Sequence, residues 1–315
     1  MSISIGDQLD HYRIEEQIAH TPTSAVFKAV DLETGRNVAL KVPQEEAEAD
    51  VLFYDRFHRE ADIGRQLDHP GVPKVIKDDH PCRVYMATEW VEGTSLRQLL
   101  HREGKLSAEQ TTHIALAICD ILSYIHKNGV VHRDLKPENV VISANGTVKL
   151  IDFGIAAKTG ARRLTFGKLS QVMGTADYIS PEQVKGQRGE ARSDLYALGV
   201  MMVEMLSGQM PFRGSNPFAI MNDRLLNDPL PIEKLNPDVA PYWKTILHKI
   251  LQRDPKNRYK TAAELAFDLE NPEQVSLSQT TAPKPARKRA LLYSVVALVP
   301  TTLFLLLLLA RHFNS

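Results

Sequence analysis

At 315 residues the chain is long enough for about two domains, or for one domain in two lobes. Its composition, 43% hydrophobic and 24% charged, is that of a globular protein and excludes a low-complexity chain. Basic and acidic residues balance at 38 each; the two cysteines, Cys82 and Cys119, lack metal-site spacing and read as reduced, buried thiols.

No basic region followed by an apolar stretch opens the chain, so no signal peptide is expected. Tyr12 to Ile18 and Ala25 to Asp31 read as strands, and Asn37 to Val42 as a third after a turn at Thr34-Gly35. Gln44 to Leu67 is helical in character and rich in charge; Val72 to Lys77 and Arg83 to Glu89 read as further strands. Ser107-Ala108-Glu109-Gln110 is a capping box. Ile114, Ile118, Ile121, Leu122 and Ile125 follow at helical spacing, and Asn128-Gly129 ends that helix. Ser193 is expected to cap the next helix, which runs through Leu198, Met202 and Leu206 to Gly208. Thr261-Ala262-Ala263-Glu264 is a second capping box.

Between these helices, His132-Arg133-Asp134-Leu135-Lys136-Pro137-Glu138-Asn139 precedes two β-branched runs, Val140-Val141-Ile142 and Val148-Lys149-Leu150-Ile151. The runs flank Asn145-Gly146, a hairpin signal. A hairpin brings its flanks, Asn139 and Asp152, to one edge. Both are oxygen ligands suited to Mg²⁺, which favours carboxylates together with phosphate oxygens. Asp134, just upstream, is suited to accept a hydroxyl proton, and Lys136 adds a positive charge.

The run from His132 to Asn139, followed by Asp152-Phe153-Gly154, resembles the catalytic and metal loops of eukaryotic-like (bacterial-type) Ser/Thr protein kinases. The resemblance covers roughly residues 10–270. It implies an α+β, two-lobed kinase fold: a small antiparallel β lobe with one main helix over 10–88, a hinge over 89–93, and a larger, mainly α-helical lobe over 94–270. Val38-Ala39-Leu40-Lys41 resembles the family's third-strand motif, which implies that Lys41 holds the ATP phosphates and that Glu60, in the helix, is its partner. Thr88 to Gly93 resembles the hinge. Thr88 is implied as the gatekeeper, Glu89 and Val91 as main-chain partners of adenine, and Val26, Ala39 and Val141 as its apolar surroundings. The family's glycine-rich loop falls on Ala19 to Val26, and none of its three glycines is present. Ala19, Thr21 and Ser24 carry Cβ atoms there, and Pro22 removes an N–H donor.

Gly174 to Glu182 resembles the family's substrate-binding segment, with Ser180 before Pro181-Glu182. The resemblance pairs Glu182 with Arg258, and makes Asp194 a brace for the catalytic loop. Arg133 beside Asp134 implies activation by a phosphate between Asp152 and Glu182, with Thr165 and Ser170 as candidates. Together these imply a Ser/Thr protein kinase that uses ATP with Mg²⁺ (Mn²⁺ as an alternative ion), acts on protein substrates and self-associates to autophosphorylate. No nucleic-acid partner is expected. Two rival readings share the fold: a pseudokinase or scaffold, favoured by the missing glycines, and a small-molecule kinase.

Asn271 to Arg289 reads as a flexible basic linker. Ala290 to Ala310 is a 21-residue run without charge, long enough to cross a bilayer. Five of the 38 basic residues and none of the acidic ones follow Glu273, leaving a net charge of −5 before it. Four of the five directly precede the apolar run. Positive charge marks the cytoplasmic side, so a single-pass, tail-anchored protein is expected, with 1–289 in the cytoplasm and 311–315 as a short tail beyond the bilayer.

Overall fold

The structure is a computed structural model and describes residues 3–21, 23–44, 51–77, 82–152, 157–158 and 175–275. The period-two runs of the first ninety residues form one antiparallel sheet. Its strands are β1 (Gln8–Leu9), β2 (Tyr12–His20), β3 (Ser24–Asp31), β4 (Asn37–Pro43), β5 (Val75–Ile76) and β6 (Met86–Glu89), in the order β1-β2-β3-β4-β6-β5. Ala25, Phe27 and Ala29 on β3 and Val38, Leu40 and Val42 on β4 alternate into a core shared with Tyr12, Ile14 and Ala87. The opposite face is set by the register. Ala19 pairs with Val26, Val26 with Lys41, and Ala39 with Thr88, so all five stand on one side of the sheet.

Between β4 and β5 lies α1 (Val51–Gln66), inside the expected helix, with Phe57 and Ala61 packed on Met86. The acidic residues Glu45, Glu46 and Glu48 lie outside the described residues. The strand expected over Val72 to Lys77 is shorter than its apolar run. Val72 N–H closes a turn on His69 O (2.9 Å), and Pro73 has no N–H to give a ladder.

The second lobe is helical. After β7 (Thr94–Ser95) come α2 (Leu96–Glu103) and α3 (Ala108–Lys127). Strands β8 (Val130–Val131), β9 (Val140–Ile142), β10 (Val148–Leu150) and β11 (Ala157–Lys158) follow. The chain continues through α4 (Pro181–Val184), α5 (Ala191–Ser207), α6 (Pro217–Leu226), α7 (Ile232–Leu235), α8 (Pro241–Ile250) and α9 (Ala262–Glu270). Ser107 and Gln110 form the expected capping box at α3, and Thr261 caps α9 by accepting from Glu264 N. Helix α5 is buried on all sides, from Ser193 to Leu206, and packs against α3 and α8. An all-round apolar helix of this kind is a core helix.

Two expectations are corrected. Ser193 is not the cap of α5, which is Glu190; Ser193 lies in the first turn, where its hydroxyl donates to Glu182 Oε1 at 2.7 Å. Cys119 is buried on α3, but Cys82 is exposed, because its segment runs along the surface and turns its N–H to Asp10 (3.1 Å). Glu182 and Arg258 form the expected pair, two-pronged at 2.8 and 2.7 Å and fully enclosed. Among the described residues no helix is long and apolar enough to cross a membrane; the run 290–310 and the linker after 275 lie outside them.

Candidate active site

The hairpin β9–β10 pairs Val140 with Leu150 around the Asn145-Gly146 turn. One step beyond the ladder, Ile151 N–H donates to Asn139 O at 2.8 Å, which sets Asp152 beside Asn139. The Asn139 amide donates to Asp134 O at 2.9 Å, which leaves its carbonyl oxygen outside that bond. Among the described residues no group of three or more His, Cys, Asp or Glu side chains could hold a resident metal. Two oxygen ligands suit Mg²⁺ shared with phosphate oxygens better than a closed protein cage.

Asp134 is held on one oxygen only. Oδ2 accepts from Lys136 Nζ at 2.6 Å, while Oδ1 is buried and has no hydrogen-bond partner among the described residues. The loop that presents it depends on Asp194 of α5, which is 1% exposed. The Asp194 carboxylate accepts from the main-chain N–H of His132 (2.9 Å) and of Arg133 (2.7 Å), and from His126 Nε2 (2.8 Å). Arg133 stands at φ 68°, a left-handed conformation that is costly for a side-chain-bearing residue, and the Asp194 bond holds it there. Burial opposes the charge of Asp194, but His126, His132 and the Arg133 N–H outweigh it and keep the carboxyl below the usual aspartate value.

Lys41 reaches across from β4. Its Nζ donates to both oxygens of Glu60, at 2.8 and 3.0 Å, and to Asp152 Oδ1 at 2.8 Å. One ammonium is thus shared by two carboxylates from different elements. Burial lowers the Lys41 pKa, but Asp152 and Glu60 outweigh it and hold it above the usual lysine value. Desolvation raises Asp152 and Lys41 lowers it; the lysine wins. For Glu60, 5% exposed, burial dominates and pushes the carboxyl up to about 7, opposed by Lys41 and reinforced by Asp152. Asp152 also stands at a left-handed φ of 63°.

The protein kinase domain family model matches residues 12–268. This chain belongs to the protein kinase family. It is 37% identical over 265 residues to the serine/threonine-protein kinase PknB of Mycolicibacterium smegmatis, a match over 82% of this chain and 42% of that protein. It is 36% identical over 265 residues to PknB of Mycobacterium tuberculosis, again over 82% and 42%. A probable serine/threonine-protein kinase of Streptomyces coelicolor is 37% identical over 264 residues, covering 82% of this chain and 39% of that protein. The chain therefore matches about two fifths of the length of these relatives.

In this kinase domain the segment after β6 is tied to both lobes. Glu89 accepts from Lys149 Nζ of β10 at 2.7 Å, and its N–H is committed to Lys74 O at 2.8 Å. Lys28 of β3 lies 5.0 Å over the Trp90 ring. Val26, Ala39 and Val91 are half-buried, Val141 is buried and Ala19 is exposed. Gly93 passes so close to β9 that a Cβ there would lie 2.5 Å from Ile142 O, so this position requires glycine.

The loop between β2 and β3 uses its own side chains. Thr21 N–H donates to Ser24 O (2.8 Å), Ser24 N–H to Thr21 Oγ1 (3.0 Å), and Thr21 Oγ1 to Ser24 O (2.9 Å). Gln44 N–H, at the end of β4, donates to Thr23 O (3.0 Å) and pins the turn. The Thr21 hydroxyl is thus engaged in closing the turn; Pro22 lies outside the described residues, as do Phe153, Gly154, Thr165 and Ser170.

A second polar network escaped sequence reasoning. Arg97 of α2 donates to Glu138 (2.8 Å), to Glu204 of α5 (2.6 Å) and to the Tyr178 hydroxyl, which also donates to Glu204. Burial lowers Arg97, but the bonds to Glu138 and Glu204 prevail and hold it above the usual arginine value. Glu204 was detectable as a lone acid inside the apolar run of α5, where a buried charge demands a partner. Arg224 of α6 donates to Ala176 O and Asp177 O, and no sequence signal marks it.

Asp194 makes the loop testable through stability. A depressed folded pKa contributes stability above the usual aspartate value of 3.8, and that contribution is lost as pH falls through the folded value. Asp194→Ala strands two buried N–H groups and is expected to cost about 2–5 kcal/mol at neutral pH. Urea titrations of wild type and Asp194→Asn should show a stability gap that is full at pH 7 and shrinks below about pH 4.

Proposed function

We propose that this kinase-family chain is a Ser/Thr protein kinase that transfers the γ-phosphoryl group of ATP to protein Ser and Thr hydroxyls. The observation that carries this reading is the convergence of Glu60 and Asp152 on the Lys41 ammonium, together with an Asp134 carboxylate held by Lys136. Glu60 holds Lys41 against the sheet, where its charge meets the α- and β-phosphates. The acceptor hydroxyl donates to the Asp134 carboxylate and gives up its proton there as the new O–P bond forms and the bond to the β-phosphate breaks. Lys136, already on Asp134 Oδ2, offsets charge on the moving group. Asn139 and Asp152 would hold Mg²⁺ (or Mn²⁺), which neutralises phosphate charge. Val26, Ala39 and Val141 enclose the adenine, and Glu89 and Val91 meet its edge through the main chain. Ala19 borders the phosphates.

Arg133 supports a regulatory reading of the same site. Its guanidinium is lowered to about 10 by burial and the neighbouring Arg188, with Asp194 pulling the other way. A phosphate at Thr165 or Ser170 would relieve that crowding of positive charge, and self-association would deliver it by autophosphorylation. The pseudokinase reading has one observation in its favour: the self-bonded Thr21 turn, with fewer donors to offer a phosphate than a glycine loop.

The chain is further proposed to be held at a membrane by residues 290–310. The support is the 21-residue uncharged run and the basic cluster Lys284, Arg287, Lys288 and Arg289 before it, which puts the kinase domain on the cytoplasmic side and next to anionic lipid.

Incubation with labelled ATP and Mg²⁺ tests the activity: wild type is expected to label itself or a Ser/Thr peptide, and Asp134→Asn to fall by a hundredfold or more. Equal labelling by the variant would refute the assignment of the base. Fractionation tests the anchor. Full-length protein should require detergent, and protein truncated before Ala290 should remain soluble and active; a full-length chain that stays soluble without detergent overturns it.

A further inference from the structure

Arg224 is the one fully buried residue of α6, a helix whose other residues are half-buried or exposed, Phe218 at 70% and Leu226 at 66%. A guanidinium at 0% exposure is costly to bury, and here its Nε has no hydrogen-bond partner among the described residues, so its two terminal nitrogens carry the compensation. No carboxylate lies within ion-pair distance of Arg224 among the described residues. Its two terminal nitrogens instead donate to consecutive main-chain carbonyls, Nη1 to Ala176 O at 2.6 Å and Nη2 to Asp177 O at 2.5 Å. The Phe212 ring lies 4.9 Å beneath it. A leucine would pack α6 against this turn at lower desolvation cost. What the guanidinium adds is position: its planar fork meets two successive carbonyls from two separate nitrogens at a fixed spacing, whereas an ammonium is a point charge on a flexible stem that sets neither spacing nor plane.

The two carbonyls belong to the one-turn 3₁₀ helix Thr175–Asp177, which opens the segment leading to Pro181. From there the contacts run toward the catalytic loop. The Tyr178 hydroxyl is fixed by Arg97 and Glu204. Ser180 bonds Gln183, and Gln183 Nε2 donates to Arg133 O at 3.1 Å, one residue before Asp134. The height and register of residues 176–180 relative to Asp134 are therefore set from both ends, by Gln183 on one side and Arg224 on the other.

We propose that Arg224 is a positioning residue for the protein substrate, holding the 176–180 platform in register with Asp134 so that the acceptor hydroxyl of a docked peptide meets its carboxylate. The inference rests on the kinase reading above. Lys41, Glu60, Asn139 and Asp152 make no contact with Arg224, so ATP handling should be independent of it.

The test uses the full chain with Arg224→Lys and Arg224→Met, two kinetic titrations and amide exchange. At saturating ATP the KM for a Ser/Thr peptide should rise tenfold or more in Arg224→Met and less in Arg224→Lys. At saturating peptide the KM for ATP should stay within twofold of wild type. Amide exchange over 176–180 should quicken in the same order. A peptide KM unchanged in either folded variant, or an ATP KM that rises in parallel with it, overturns the proposal. If wild type itself transfers no phosphoryl group, the kinase reading and the substrate role fall together. Exchange over 176–180 then still judges the clamp, and equal exchange in wild type and Arg224→Lys refutes it.

Discussion

A single buried carboxylate governs the catalytic loop. Asp194 takes the main-chain N–H groups of His132 and Arg133, and in doing so holds Arg133 in a conformation it would not adopt alone. The residue that follows, Asp134, owes its orientation to that bond. The helix carrying Asp194 is buried on every side, so leaving a polar group on it without a partner is costly; the Tyr196 hydroxyl has none among the described residues. Three such groups find theirs in functional segments: Asp194 in the catalytic loop, Ser193 in Glu182, and Glu204 in Tyr178 and Arg97. The core helix is therefore also the frame of the site, and the enclosed Glu182–Arg258 pair ties the end of the substrate segment to it.

The cleft is organised by a shortage of positive charge. Lys41 serves both Glu60 and Asp152, and burial leaves Glu60 with a carboxyl pushed up to about 7. In the proposed reading Asp152 would hold a cation that arrives with the nucleotide, and Lys41, oriented by Glu60, would meet the phosphates. The loop above it answers a different constraint. With no glycine to open the backbone, Thr21 closes the turn on itself and Gln44 pins it to β4. Stiffness there exchanges backbone donors for a fixed geometry.

Much of this was legible in the sequence where the cause is local. Asn145-Gly146 predicts the hairpin that joins Asn139 to Asp152, and the capping boxes at Ser107 and Thr261 predict helix starts that the structure has. Lys41 and Glu60 were legible through family resemblance, and they meet at 2.8 Å. Failures came where the deciding partner is distant. Ser193 looks like a helix cap in its own neighbourhood, but Glu182 claims its hydroxyl. Cys82 has apolar neighbours in sequence and a surface position in space. Arg97 and Arg224 carry no local pattern at all; the groups that justify burying them lie 41 to 107 residues away.

The central claim is that this cleft holds ATP through the Lys41–Glu60–Asp152 cluster. Titration of purified full-length protein with a fluorescent ATP analogue in Mg²⁺, for wild type, Lys41→Met and Asp152→Asn, tests it most directly. Loss of one charge-assisted contact is worth about 1.5–3 kcal/mol, so wild type should bind saturably and each variant should bind at least tenfold more weakly. Wild type that binds no nucleotide, or variants that bind as tightly as wild type, would contradict it.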